Sequence, residues 1–150
     1  MRVLVTTVAA AAVVLSGCGG NGPGEREKEA DRAVPVGSAA CADQASAARL
    51  PAAFPSAFPL PDGLVVTRSE TRSGGRVIVY GVSRDDVRTT LRFLQERVPA
   101  AGFKLTEGEV EQHDAESNWS GRGYRGRWTI RELPQCHGDT LVTVLAAKGG

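Results

Sequence analysis

The chain has few of the residues that most catalytic motifs require. Only two histidines occur in 150 residues, His113 and His137, and only these could act as the imidazole base of a hydrolytic triad. No G-x-S-x-G elbow presents a serine to such a base. The sequence also lacks H-E-x-x-H, a P-loop and a paired-cysteine zinc pattern, so the usual signatures of metalloproteases, nucleotide binders and zinc modules are missing. His137 sits beside Cys136, but a metal site needs three or four converging ligands, and none is expected here. Net charge is scarce too, with 18 Lys+Arg against 17 Asp+Glu. A domain without a basic excess lacks the phosphate-neutralising charge that nucleic-acid binding relies on, which excludes that partner class. Long apolar runs are limited to one, Val3 to Leu15, shorter than the about 20 residues a membrane-spanning helix needs.

That run follows Arg2 and ends in Leu15-Ser16-Gly17-Cys18. A basic start, an apolar stretch and small residues before a cleavage point make a secretory signal peptide. The Leu-Ser-Gly-Cys ending resembles the lipobox of bacterial lipoproteins. The resemblance implies that residues 1–17 are removed and that Cys18, acylated, becomes the new N-terminus. It also implies an anchor at the extracytoplasmic face of the cell membrane, since several acyl chains hold a protein stably where one holds it marginally. Taking 17 from 150 leaves 133 residues, one domain's worth. Losing Arg2 balances the charge at 17 basic against 17 acidic residues. Arginine outnumbers lysine and alanine is abundant, a composition that hints at a GC-rich, actinobacterial genome.

With Cys18 given to lipid, Cys41 and Cys136 remain. An even remainder in an exported protein points to a disulfide, and two cysteines leave no choice of connectivity.

Along the mature chain, residues 18–40 combine the lipid-bearing Cys18 with a tether rich in Gly, Pro and mixed charge. A single domain is expected over 41–147, with 148–150 as a tail. Ala-rich 42–49 suits a short helix. Pro51, Pro55, Pro59 and Pro61 then favour extended, polyproline-like chain, whose Phe54, Phe58 and Leu60 are expected to pack across a core. Pro61-Asp62-Gly63 marks a turn. Residues 64–72 and 76–82 read as a hairpin around Ser73-Gly74-Gly75.

The helix signals come next. Ser83 is the expected N-cap, with Asp86 as its capping-box partner and Val82 and Val87 as the staple. Asp85 and Asp86 suit the positive end of the helix dipole. Val87, Leu91, Leu94 and Val98 draw one apolar stripe, and Gly102 is the expected stop. Arg88, Arg92, Gln95 and Glu96 form the solvated face.

Residues 103–108 alternate as a strand, and 141–147 form the last one. The order of elements gives an α+β fold: a small antiparallel sheet built from a β-hairpin and three to four further strands, with one amphipathic helix on one face. It is loosely similar to other small exported bacterial lipoprotein domains with a strand-helix-strand core, a likeness that implies no activity.

Gly121-Arg122-Gly123-Tyr124-Arg125-Gly126 has the G-x-G-x-x-G spacing of a dinucleotide-binding turn. That fingerprint requires a helix opening at its last glycine, whereas Trp128, Thr129 and Ile130 favour strand. The expected structure is a glycine-rich bend, with no cofactor. Strand alternation places Tyr124, Gly126, Trp128 and Ile130 on the core side, with Gly126 where something packs close. Arg125, Arg127 and Arg131 fall on the other side, where Glu116 of a neighbouring strand at 116–120 would pair with them. The same arginines are the candidate surface for an anionic partner, either lipid headgroups or a wall polymer. Glu111, His113 and Asp114 form a local acidic cluster that suits solvation better than acid–base work.

The expected role is therefore non-catalytic binding or adaptor work at the cell envelope. The alternatives are an accessory subunit of an envelope protein complex, docking through the Pro/Phe stretch at 54–60, and a small hydrolase around His113.

Overall fold

The computed structural model describes residues 36–149. The signal peptide, Cys18 and most of the tether lie outside the described residues. Six strands form one antiparallel sheet: β1 (Val65–Arg72), β2 (Arg76–Ser83), β3 (Lys104–Val110), β4 (Asp114–Gly121), β5 (Tyr124–Glu132) and β6 (Thr140–Lys148). Helix α1 (Val87–Ala100) joins β2 to β3. The strand order is β1-β2-β6-β5-β4-β3, so the last strand fills the gap between the hairpin and the β3–β5 meander. This is the α+β fold expected, with four further strands.

The helix lies across one face. Leu94 and Val98 are buried there, with Val87 and Leu91 partly buried, and they pack with Val77, Val79, Trp128, Ile130, Val142 and Val144. Gly102, at φ +85°, ends the helix where only a residue free of Cβ is unstrained.

The helix start differs from expectation. Asp86 is the N-cap, its Oδ1 accepting from Thr89 N–H at 2.7 Å. Ser83 is still held in the sheet opposite Thr140, so the helix cannot open there. The Ser83 hydroxyl instead accepts from Asp85 N–H at 3.2 Å, and Val82 packs in a separate cluster rather than stapling to Val87. The Asp85 carbonyl then ties the joint to β6 by accepting from Thr140 Oγ1 at 2.8 Å.

This cap supplies a test. Asp86→Ala is expected to cost about 1 kcal/mol, and Asp86→Asn much less, read as the urea midpoint at neutral pH. The Thr89 backbone N–H holds the Asp86 carboxyl below its ordinary 3.8. A folded pKa below the unfolded one stabilises above pH 3.8 and is lost as pH falls further. Asp86→Asn should therefore flatten part of the acid limb of the stability profile.

The proline-rich stretch also departs from expectation. It is neither an Ala-rich helix nor polyproline chain but a series of proline-led turns. Phe54 N–H donates to Pro51 O and Phe58 N–H to Pro55 O, both at 2.9 Å. Each turn has proline at its first position and phenylalanine at its fourth, and the two successive turns bring Phe54 and Phe58 into edge contact, centroids 5.9 Å apart. Both rings are buried in the main core, against Phe103 and Trp119. Residues 42–49 carry one turn, and Ala48 N–H pairs with Val66 O on the outer edge of β1.

Cys41 and Cys136 are joined by a disulfide across a separation of 95 residues. It stands beside a small cluster of Ala42, Val82, Leu133, Cys136 and Leu141 at one end of the sheet. The Asp139 carboxylate fixes the same corner by accepting from Ala42 N–H at 2.7 Å.

Candidate functional site

Residues 121–126 make a hairpin turn and not a phosphate cradle. Gly121 and Tyr124 are paired, leaving Arg122 and Gly123 as a two-residue loop, both at positive φ (52° and 79°). This is the loop geometry that matches strand twist. Arg122 reaches back to donate to Ala101 O at 3.2 Å, a cation at the negative end of α1. Gly126 pairs with Trp119, whose indole lies over it.

Beyond the turn, β5 alternates as its sequence requires. Trp128 and Ile130 enter the core under the helix, and Arg125, Arg127 and Arg131 share the opposite face. Helix α1 lies on the other face, and the short Pro134–Cys136 turn beside the disulfide covers one end of this one. Its middle is an apolar strip of Ile78, Tyr80 and Leu145, roofed by arginines. Arg68 stacks on the Tyr80 ring, 4.3 Å from its centroid, and Glu70 binds both Arg68 and Arg72. Burial pushes the Tyr80 phenol above its ordinary range, so it stays neutral.

Arg127 is the arginine held by β4. Its Nε donates to Asn118 Oδ1 at 2.9 Å and it pairs with Glu116 at 3.2 Å. This is the cross-strand pair expected from Glu116. Arg125 and Arg127 line a groove of about 790 Å³ at the turn end of the face. Arg76 completes its charged lining, with Ser73 and Gly74 as one wall and Leu145 and Ala147 as floor. No carboxylate lines it. Lys148 also borders the groove, but it is the register partner of Tyr124 on the helix side, so three guanidinium groups carry the charge. Arg131 does not line it; four residues along the strand put it about 13 Å from Arg127. Sequence reasoning missed Arg76, because its place depends on β6 lying between β2 and β5.

Two other clefts collect chemistry-bearing residues. His113 pairs through Nδ1 with Glu132, in a cleft of about 250 Å³ that Asp86, Arg88 and Gln112 also line. Glu111 and Asp114 do not line it; they meet through the main chain of the β3–β4 turn, Glu111 N–H donating to Asp114 O at 2.8 Å. No serine, threonine or cysteine lines it. The third cleft, about 450 Å³, holds the disulfide, His137 and Asp139. Donor atoms of Cys41, Cys136 and Asp139 lie within 4.8 Å of one another, yet the two sulfurs are bonded to each other and offer no thiolate.

Among the described residues no helix is long and apolar enough to cross a membrane. The chain matches no known family model, no curated protein and no solved structure.

Proposed function

We propose that this is an exported, lipid-anchored binding domain, held by Cys18 at the extracytoplasmic face of the cell membrane. It takes an anionic envelope partner in the groove of Arg76, Arg125 and Arg127. The observation that carries this is the groove's charge. Three guanidinium groups line it without a carboxylate, on a sheet face that the helix leaves open. The disulfide supports an oxidising, extracytoplasmic setting. Of the alternative docking modes, one through the Pro/Phe stretch could not use its two phenylalanines, because Phe54 and Phe58 are buried in the core. A hydrolytic role would use the His113–Glu132 pair, but its cleft supplies no hydroxyl or thiol nucleophile.

Two measurements test the proposal. Cys18→Ala should abolish fatty-acid labelling and release the protein from the membrane fraction; a labelled, membrane-bound variant would defeat the anchor. Arg76→Gln with Arg125→Gln should abolish capture by anionic wall material or anionic vesicles. Arg88→Gln with Arg92→Gln, an equal charge change on the exposed helix face, should leave capture intact.

A further inference from the structure

The sheet register aligns two of the groove's cations, Arg76 and Arg125, with Lys104 just outside it, in a way that the sequence does not show. Across the strands runs a single lateral row on the open face. Lys104 of β3 pairs with Ser120 of β4, Ser120 with Arg125 of β5, and Arg125 with Ala147 of β6. Continuing the β6–β2 register one residue past Val77↔Ala146 sets Arg76 beside Ala147. The row therefore reads cation, small, cation, small, cation. Neighbouring strands are about 4.8 Å apart, so the cations recur about every 10 Å over a total of about 19 Å.

Three further observations make the row usable. Among the described residues, no ion pair involves Lys104, Arg125 or Arg76. The nearby carboxylates are already engaged, Glu116 by Arg127 and Glu70 by Arg68 and Arg72. The intervening Ser120 and Ala147 are too small to interrupt a chain laid along the row.

We infer that the groove, continued past Ser120 to Lys104, binds an extended polyanion running across the strands, its anionic groups meeting Lys104, Arg125 and Arg76 in turn. This rests on the anion-binding role proposed above and goes beyond it by choosing a linear polymer over a compact headgroup. A single phosphate would meet one cation and leave two unused. A chain of phosphodiester or carboxylate repeats would reach all three, the second and third contacts being made at high effective concentration.

The experiment is a titration of the full chain in detergent with orthophosphate, linear polyphosphates of increasing length, and vesicles with and without anionic phospholipid. Affinity should rise with polyphosphate length until the chain spans about 19 Å, and then level. Lys104→Gln, Arg125→Gln and Arg76→Gln should each weaken the long chain about fivefold. Each should also flatten the slope of log affinity against log salt by about 0.7, as for loss of one contact to a single strand. Ser120→Glu, placing a carboxylate inside the row, should weaken the long chain at least as much. Lys104, Ser120 and Arg125 are exposed, so their variants should leave the melting temperature unchanged, separating lost contacts from lost fold. Length-independent binding in which Lys104→Gln has no effect would overturn the row but keep an anion site at Arg76 and Arg125. Tighter binding to anionic vesicles than to any polyphosphate would replace the polymer with a membrane surface. Failure of every anion to bind would overturn both the row and the anion-binding role.

Discussion

Replacing Cys41 and Cys136 together by serine is expected to cost the domain about 4–5 kcal/mol. The bridge spans 95 residues, and a loop of that size restricts the unfolded chain by this amount in the chain-entropy view. For a domain near this size that corresponds to a fall in Tm of roughly 20 °C. Native contacts would go with it. The segment bearing Ala42 lies over Val82, Leu133 and Leu141, where the bond from Ala42 N–H to Asp139 also holds it. The double variant is the informative one, because each single variant leaves a thiol able to form intermolecular bridges. Thermal melts of the double variant and of the reduced wild-type protein should coincide. A reduced protein that melts with the oxidised one would show that the bridge carries no stability.

The second large effect is expected at Gly126. A Cβ built there would meet Trp119 Cζ2 at 2.7 Å and Cε2 at 2.8 Å, and would press closer still on the Leu145 carbonyl. Trp119 cannot retreat. Phe58 is tilted against it with centroids 4.6 Å apart, and Phe103 meets it edge-on at 5.3 Å. Overpacking a core with no slack costs about 1–3 kcal/mol, and contact with backbone on one side puts Gly126→Ala at the upper end, about 3 kcal/mol. Gly126→Val should be worse. In a Trp119→Leu background the same change should cost less, since part of the clash is gone while the Leu145 carbonyl remains, and that shortfall measures the coupling. Urea midpoints for the four proteins give the answer. A Gly126→Ala variant as stable as wild type would mean that the indole lies elsewhere.

Much of this architecture was legible in residue order, and the misses have physical causes. The hairpin over 64–82, the stripe of Val87, Leu91, Leu94 and Val98, and the parity of β5 are all local periodicities, and each appears in the fold. The start of β4 was hard to see because its inward residues before Trp119 are Ala115 and Ser117, too small to print an apolar pattern. The cap moved from Ser83 to Asp86 because pairing with β6 keeps Ser83 in the sheet, a long-range constraint that overrides local chemistry. The candidate site was half visible. Arg125 and Arg127 announced themselves by alternation, whereas Arg76 and Lys104 come from strands far apart in sequence. Only the strand order brings Arg76 into the groove and sets both residues in one row.

The placement of β6 has a kinetic consequence. As the last strand in chain order it is the only one that joins β2 to β5, so until residues 140–148 emerge the chain holds a two-stranded ribbon and an unattached three-stranded meander. Two-stranded ribbons are marginal in water, and the main core draws on both pieces. Native structure should then form late and cooperatively, limited by closure of the long β2–β6 connection. A polypeptide that stays pliable until its end is available would suit the export proposed above, in which threading precedes folding. The same property predicts that C-terminal truncations into β6 will yield aggregation-prone half-sheets rather than a smaller stable domain.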